Sequence, residues 1–344
     1  MSIEIRRFSS SDTDFEAKIE VLTAPIEDLD QSLVASVRDI ISQIRSGGDA
    51  ALLELTRRFD GFEASSVSEL VYERDDLKAY ESQVDRSALD AVAAAAQRIR
   101  RYHEQQINQD WSIVDDFGNR LGQRSLPMQR AGLYVPGGKA SYPSSVLMNA
   151  IPARVAGVPE IVMVAPAPGG EINPLVLAAA SIVGVDKVIT VGGAQAIAAL
   201  AYGTESVLAV DKVVGPGNRY VAEAKRQVFG KVGIDMIAGP SEIFVIADGS
   251  VDPNWVALDL MSQAEHDEIA QAVCISTSQE YLDAVANAIE ALLPGASRAD
   301  IIRASLKNRG ALIAVPNLTV AAELSNRFAP EHLELAVAAP SELL

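Results

Sequence analysis

From Ala131 to the end of the chain, short runs of aliphatic residues alternate with segments of helical periodicity. Strand, helix and strand repeated at this rhythm are typical of parallel sheets that helices cover on both faces. Because this is too much chain for one such sheet, we expect two open α/β units with a break at Gly239-Pro240. The predicted strands are Gly132–Val135, Ile161–Ala165, Lys187–Thr190, Lys212–Val214, Ile243–Ala247, Val273–Thr277 and Leu312–Val315. The helices predicted between them lie near 144–156, 173–183, 194–202, 219–229, 253–266, 279–293, 298–308 and 317–327.

The part of the chain before Ala131 has a different pattern. Residues 1–24 alternate polar and apolar groups without a hairpin signal, so we predict an arm that lies on another element. After this arm the apolar spacing becomes helical, which predicts a helical N-terminal region. The predicted elements are helices from Asp28 to Gly47, from Asp49 to about Asp60 and from Asp85 to about Gln106, and a hairpin of Trp111–Val114 with Arg120–Leu126.

The charge and the cysteine content exclude several classes of protein. A formal net charge of −17 argues against a nucleic-acid surface, which needs clustered Lys and Arg to contact phosphates. Cys274 is the one cysteine, so an intrachain disulfide and a cysteine-rich structural zinc site are excluded. No apolar run has the length of a membrane span, and no secretory signal is present. We therefore expect a cytoplasmic protein that contacts neither nucleic acid nor membranes.

Three glycine-containing turns follow predicted strands. They are Gly132–Gly138, Val191–Gln195 and Val214–Asn218. Because the carboxyl ends of parallel strands meet at one edge of a sheet, these turns predict a nucleotide-sized ligand there. Turns that need glycine only for their backbone dihedrals are the alternative. The G-x-G-x-x-G fingerprint is absent, so this motif gives no argument for a dinucleotide.

Polar side chains with catalytic chemistry are concentrated in two later segments. Gln263 and His266 share one face of a predicted helix, where an amide oxygen and an imidazole can bind one cation. His332 follows Glu331, and a histidine suits proton removal from an alcohol while an acid handles a proton from water. We hypothesise that the fold brings both segments around one small substrate. The alternative is that these polar side chains are solvent-exposed and have no catalytic role, which the same spacings allow. Ser241, at the predicted junction, is either a capping residue or a ligand contact.

Taken together, these motifs closely resemble the histidinol dehydrogenase family. The resemblance extends from the N-terminal helices to the last residues, and the motifs occur in the order found in the family. They are Tyr134–Gly138, Val191–Leu200, Gly215–Asn218, Ala238–Glu242, Ser262–Asp267 and Ala329–Leu333.

The resemblance implies an activity, cofactors and a domain plan. The implied enzyme oxidises L-histidinol to L-histidine through L-histidinaldehyde, the last two steps of L-histidine biosynthesis, with two NAD molecules and one zinc ion per site. It is implied to be a homodimer with shared active sites. The implied fold has two open, incomplete Rossmann-like domains. One, 134–242, binds NAD and is inserted into a first α/β domain made of 25–133 and 243–344, which follows the arm of residues 1–24.

The resemblance also implies roles for single residues. By motif, Gln263 and His266 resemble zinc ligands that also contact the substrate. Glu331 and His332 resemble an acid–base pair, in which His332 takes the alcohol proton and contacts the substrate, while Glu331 activates the water that attacks the aldehyde. The remaining contacts implied by motif are Tyr134, Gln195 and Asn218 for NAD, and Ser241 for the substrate.

One departure from the family pattern concerns zinc. Family members continue with an aspartate and a histidine that complete the zinc site, whereas this sequence ends at Leu344. We therefore expect this polypeptide to bind zinc weakly and to have little activity. Two other functions fit parts of the sequence. One is a catalytically silent relative that binds a nucleotide or an imidazole compound, and the other is an aldehyde dehydrogenase with Cys274 as its nucleophile.

Overall fold

The structure, a computed structural model, describes residues 3–24, 31–137, 142–237, 239 and 241–344. The helices in these ranges are α1 (Phe15–Thr23), α2 (Gln31–Asp60), α3 (Arg74–Ala79), α4 (Arg86–Glu104), α5 (Pro143–Val155), α6 (Pro174–Val183), α7 (Gly193–Tyr202), α8 (Arg219–Val228), α9 (Pro253–Ala264), α10 (Gln279–Leu292), α11 (Ala299–Arg309), α12 (Leu318–Phe328) and α13 (Pro340–Leu343). The strands are β1 (Arg6–Ser9), β2 (Val71–Glu73), β3 (Trp111–Val114), β4 (Arg120–Gln123), β5 (Arg130–Tyr134), β6 (Glu160–Val164), β7 (Lys187–Ile189), β8 (Lys212–Val214), β9 (Gly233–Ile234), β10 (Glu242–Ala247), β11 (Gln271–Ser276), β12 (Ala311–Ala314) and β13 (His332–Ala336).

The predicted fold class is confirmed, because parallel strands covered by helices form both main sheets. The aliphatic runs correspond to β5–β8 and β10–β12, and the predicted hairpin is β3–β4. Residues 1–24, predicted as an arm that lies on another element, contain β1, which pairs with β12, and α1. One predicted helix needs correction. The helix predicted to reach His266 ends at Ala264, so His266 lies in the turn that follows.

The chain divides into two compact units. The discontinuous unit comprises Met1–Glu27 and Gly239–Leu344, and the inserted unit comprises Asp28–Ala238. The division at Gly239 lies at the expected break, of which Pro240 is outside the described residues. The predicted boundary at residue 134 differs from this division. The region predicted as 25–133 of the first domain instead belongs almost entirely to the inserted unit, because α2 buries its apolar face against α7 and α8.

The sheet of the discontinuous unit has the order β1-β12-β11-β10-β13, with parallel pairing throughout. α9, α10 and α11 cover one face, and α1 and α12 cover the other. Each helix between two parallel strands returns the chain to the amino edge of the sheet. The end of α9 and the beginning of β13 therefore lie at the same edge.

The main sheet of the inserted unit has the order β2-β7-β6-β5-β8-β9, and β2 is antiparallel to its neighbour β7. The chain runs outward from β5 through β6 to β7 and then returns to β8 on the other side of β5. This reversal is a topological switch point, at which open α/β sheets bind ligands outside the carboxyl ends of the strands. α5 and α6 cover one face, whereas α2, α7 and α8 cover the other.

The β3–β4 hairpin of the inserted unit forms a separate two-stranded sheet with all of its residues exposed. Apolar side chains are nevertheless numerous on it, including Trp111, Ile113 and Leu121, and Phe117 in its turn is 91% exposed. Among the helices in the described ranges, none has the length and apolarity that a membrane crossing requires.

Candidate functional site

A cleft of about 570 Å³ lies within the inserted unit, at the carboxyl ends of the strands next to the switch point. It brings together Tyr134, which ends β5, Gln195 in the first turn of α7, and Asn218, which precedes α8. These three residues come from three different strand–turn–helix segments, as the glycine-containing turns predicted. The cleft also contains Asp60 and Arg58, which the sequence analysis did not single out.

The amino ends of α7 and α8 determine how two of these side chains are held. The hydroxyl of Tyr134 accepts a hydrogen bond of 3.2 Å from the backbone amide of Gly193. Burial raises the pKa of Tyr134 to about 12, so the phenol stays neutral. The Oδ1 atom of Asn218 caps α8 by accepting from the amides of Tyr220 (3.0 Å) and Val221 (3.2 Å). Its amide nitrogen has no hydrogen-bond partner among the described residues and can donate to a ligand.

Asp60 is a half-buried carboxyl group at the end of α2. Burial raises its pKa to about 6, although the backbone amide of Gly192 opposes this shift. Its Oδ2 atom is buried and has no hydrogen-bond partner among the described residues. A charge that is costly to bury and lines a cleft is a candidate functional group. No short-range sequence pattern indicates a functional role for Asp60, because in the sequence it is an ordinary residue at the end of a helix.

A second group of predicted residues lies at the amino edge of the sheet in the discontinuous unit. Ser241 precedes β10, and its carbonyl accepts a 2.9 Å hydrogen bond from the amide of Gln271 at the start of β11. Gln263 is in the last turn of α9 and only 8% exposed, yet its side chain has no hydrogen-bond partner among the described residues. His266 is exposed in the following turn, with its amide bonded to the carbonyl of Gln263.

Glu331 and His332 complete this group. The Oε2 atom of Glu331 accepts from the amide of Glu242 at 3.3 Å, which ties it to the beginning of β10. The Nε2 atom of His332 lies 3.9 Å from the Oε1 atom of Glu331, and both side chains are exposed. Burial raises the pKa of Glu242, against the opposing charge of Arg309. This edge of the sheet thus concentrates carboxyl and imidazole groups.

The strand register places His332 on the sheet face that α9 covers. His332 pairs with Ile243, and Ile243 packs in the core formed with α9. Two residues further along β13, Glu334 contacts Asp259 of α9, and burial together with this neighbour raises the pKa of Glu334. Gln263 is one helical turn after Asp259, and His332 is one strand repeat before Glu334, both toward the amino edge. Gln263 and His332 therefore lie toward the same edge and on the same face of this sheet.

The residues at this edge do not make a full zinc site. Zinc in proteins has four donors. Within the described ranges no cluster of three or more His, Cys, Asp or Glu side chains is arranged to hold a metal ion. Gln263 and His266 supply an amide oxygen and an imidazole, which are two donors of the required four.

Cys274 is unsuited to nucleophilic catalysis. It lies fully buried in the middle of β11, and this burial raises the pKa of its thiol to about 12. Because the thiolate is the reactive form, the structure disfavours the aldehyde dehydrogenase alternative that requires this residue.

Two doubly wound units, one with a cleft at its switch point and one with an acid–histidine pair, define an α/β enzyme. The sequence model of the histidinol dehydrogenase family matches residues 25–344. Histidinol dehydrogenase of Pseudomonas syringae pv. tomato is 57% identical over 340 residues, covering 99% of this chain and 76% of that protein. The Pseudomonas aeruginosa enzyme is 56% identical, with coverages of 99% and 77%.

A solved structure agrees with these sequence relatives. The crystal structure of histidinol dehydrogenase from Elizabethkingia anophelis has a TM-score of 0.92 to this chain at 31% identity. The match covers 99% of this chain and 78% of that chain. The chain therefore belongs to the histidinol dehydrogenase family, a family of oxidoreductases of histidine biosynthesis.

Replacing Asp60 by Asn is expected to stabilise the fold above about pH 6. With the pKa raised from 3.8 to about 6, the unfolded chain loses this proton first, so stability falls as the pH rises through that interval. Asp60→Asn removes this loss, so the free energy of unfolding above about pH 6 should rise by about 1 kcal/mol after allowance for solvent screening. Urea unfolding of both proteins between pH 4 and pH 8 measures the difference, with the exposed Asp116→Asn variant as control. If Asp60→Asn increased the free energy of unfolding equally at every pH, the raised pKa of Asp60 would be contradicted.

Proposed function

We propose that this chain catalyses the NAD-dependent oxidation of L-histidinol to L-histidine through L-histidinaldehyde, the last two steps of L-histidine biosynthesis. The observation that carries the proposal is the 57% identity to a histidinol dehydrogenase over 99% of the chain. The fold supports it, because the TM-score of 0.92 to a second histidinol dehydrogenase extends the likeness from sequence to structure over 99% of this chain.

NAD is proposed to occupy the cleft of the inserted unit. The volume of about 570 Å³ is in the range of ligand pockets, and the cleft lies at the switch point where doubly wound sheets bind nucleotides. Tyr134, Gln195 and Asn218 are the proposed contacts. Tyr134 and Asn218 are already held by backbone amides, so binding costs little side-chain entropy. When bound, NAD accepts the hydride in each oxidation.

The acid–base chemistry is assigned to the amino edge of the discontinuous unit. His332 is proposed to take the hydroxyl proton of the alcohol while the carbon–hydrogen bond breaks, since a neutral imidazole is a suitable base near pH 7. Glu331 is proposed to take a proton from the water that adds to the aldehyde. Ser241, Gln263 and His266 are proposed to contact the substrate. The side-chain amide of Gln263, which has no hydrogen-bond partner among the described residues, supports this role.

Gln263 and His266 are further proposed to contribute two donors to a zinc ion. Their fit is partial, because they are two of the four donors that zinc takes and the described ranges hold no cluster of three His, Cys, Asp or Glu side chains. A second candidate function is a catalytically silent relative that binds a nucleotide or an imidazole compound.

The protein is also proposed to form a homodimer with shared active sites and to act in the cytoplasm. A two-stranded hairpin is marginally stable alone, and β3–β4 exposes apolar side chains on both faces, so a covering surface of a second copy would stabilise it. The unpaired thiol of Cys274 suits a reducing compartment.

The activity is tested by following NADH formation with L-histidinol, NAD and added zinc. His332→Ala is expected to lower kcat by about 10²- to 10⁴-fold, the usual contribution of a general base. Glu331→Gln is expected to slow the second oxidation, so that aldehyde accumulates, and Asn218→Ala to raise KM for NAD. The control is His103→Ala, which removes a partly exposed histidine of α4, in the inserted unit. A wild-type chain that binds NAD without forming NADH would support the silent relative instead.

Zinc binding is expected to be weak for this polypeptide. With two donors, the chain should retain well below one zinc ion per polypeptide after dialysis, because four donors are the norm. Metal analysis of the dialysed protein measures the retained ion, and Gln263→Ala and His266→Ala should each lower it further. If the protein retained one zinc ion per polypeptide and neither substitution reduced this amount, Gln263 and His266 would not be zinc donors.

The proposed dimer gives a separate expectation. Replacing Ile113 by Thr and Phe117 by Ser keeps strand and turn propensity but removes apolar surface from the hairpin. We expect wild type to sediment as a dimer and the double variant to shift toward monomer. Leu208→Ser, at another exposed apolar position of the inserted unit, is the control. A monomeric wild type, or a double variant that remains dimeric, argues against a role of the hairpin in assembly.

A further inference from the structure

The turn between β8 and α8 is held by two charged side chains that do not line the cleft. The amide of Gly215 donates a 2.7 Å hydrogen bond to the Oδ2 atom of Asp235, and its carbonyl accepts a 3.0 Å hydrogen bond from the Nζ atom of Lys225. Lys225 and Asp235 also form an ion pair with each other. Both polar groups of one glycine are thus bound by the two members of one ion pair.

This ion pair is largely buried. The side chain of Lys225 is 5% exposed and that of Asp235 is 30% exposed. Buried ion pairs seldom increase stability over apolar residues of the same size, because desolvation offsets their attraction. A buried ion pair at this turn is therefore better explained by a geometric role than by a gain in stability. Lys225 is not available as a phosphate ligand, since its ammonium group is enclosed by Gly215 and Asp235.

The position of the turn determines where cleft residues lie. Gly215 has a φ of 117°, and a Cβ atom there would lie 2.1 Å from the carbonyl oxygen of Tyr134, so the turn rests directly against the end of β5. Three residues later the same turn ends at Asn218, which caps α8. Lys225 belongs to α8 itself. The pair therefore connects the beginning of the turn to the helix that the turn starts.

We propose that Lys225 and Asp235 are positioning residues for the dinucleotide cleft. They fix the Gly215–Asn218 turn against Tyr134, so that the amide of Asn218 and the phenol of Tyr134 present a ready-made pair of contacts to the bound cofactor. The inference rests on the proposed binding of NAD in this cleft. It assigns neither residue to the chemistry, and it predicts an effect on cofactor affinity that is separable from stability.

The test compares single and double neutralised variants. Lys225→Met or Asp235→Asn alone leaves a buried charge without its partner and should lower the unfolding midpoint. The double variant K225M/D235N should recover most of this stability. Its affinity for NAD should stay about tenfold weaker than wild type, with KM for NAD raised and kcat at saturating NAD little changed, because the carbonyl of Gly215 has lost its donor. Calorimetric titration with NAD and steady-state kinetics supply the measurements.

Two controls separate positioning from general destabilisation. Arg154 and Asp186 form another partly buried ion pair of the inserted unit, away from the cleft, so R154M should lower stability and leave NAD affinity unchanged. If the pair acts through Asn218, its removal should matter little once Asn218 is gone. K225M/D235N introduced into the N218A variant should therefore weaken NAD binding much less than K225M/D235N introduced into wild type. Fully additive losses, or recovery of both stability and affinity in K225M/D235N, would overturn the inference. Failure of wild type to bind NAD would instead remove the proposed function, and this inference with it.

Discussion

In a parallel sheet the carboxyl ends of all strands lie at one edge and the amino ends at the other. Both candidate sites depend on this constraint. In the inserted unit, residues from three separated segments reach one cleft because β5, β7 and β8 end at the same edge. In the discontinuous unit, the end of α9 and the start of β13 are far apart in sequence but lie at the same amino edge. The crossover helices thus bring side chains from distant sequence segments to one edge of each sheet.

Two charged groups in and beside the cleft are costly to bury, and this cost helps to identify them. Asp60 has a buried oxygen without a described partner, and Lys225 has an ammonium group in the protein interior. In each case a neutral or apolar side chain of similar size would be cheaper to bury. Folding alone does not explain such groups, whereas a ligand or a fixed turn geometry does.

The parts of the fold that were predicted from sequence are those set by local pattern. β10 and β11 are nearly continuous aliphatic runs, and such runs predict buried parallel strands whatever the rest of the chain does. β13 was missed because His332 and Glu334 interrupt the apolar pattern, and only the pairing with β10 makes this segment a strand. β1 was missed for a similar reason, since its partner β12 is distant in sequence.

The domain boundary and the missed site residues have the same explanation. The apolar face of α2 predicts a helix that packs on something, but it does not say which sheet, and that choice decides the boundary. Asp60 ends this helix and enters the cleft only because α2 packs beside α7. By contrast, Tyr134, Gln195 and Asn218 could be grouped in advance, because each follows a strand directly and the edge is shared.

The two edges differ in the sign of the charge that they favour. α7 and α8 begin at the cleft, and a helix N-terminus carries about half a positive charge, which suits an anion such as a pyrophosphate. α9 and α12 end at the amino edge of the other sheet, where the helix C-termini and the carboxylates of Glu242 and Glu331 are negative. A protonated amine or a metal ion is therefore favoured there. The proposed assignment follows this polarity, with the anionic cofactor at helix beginnings and the amine-bearing substrate at helix ends.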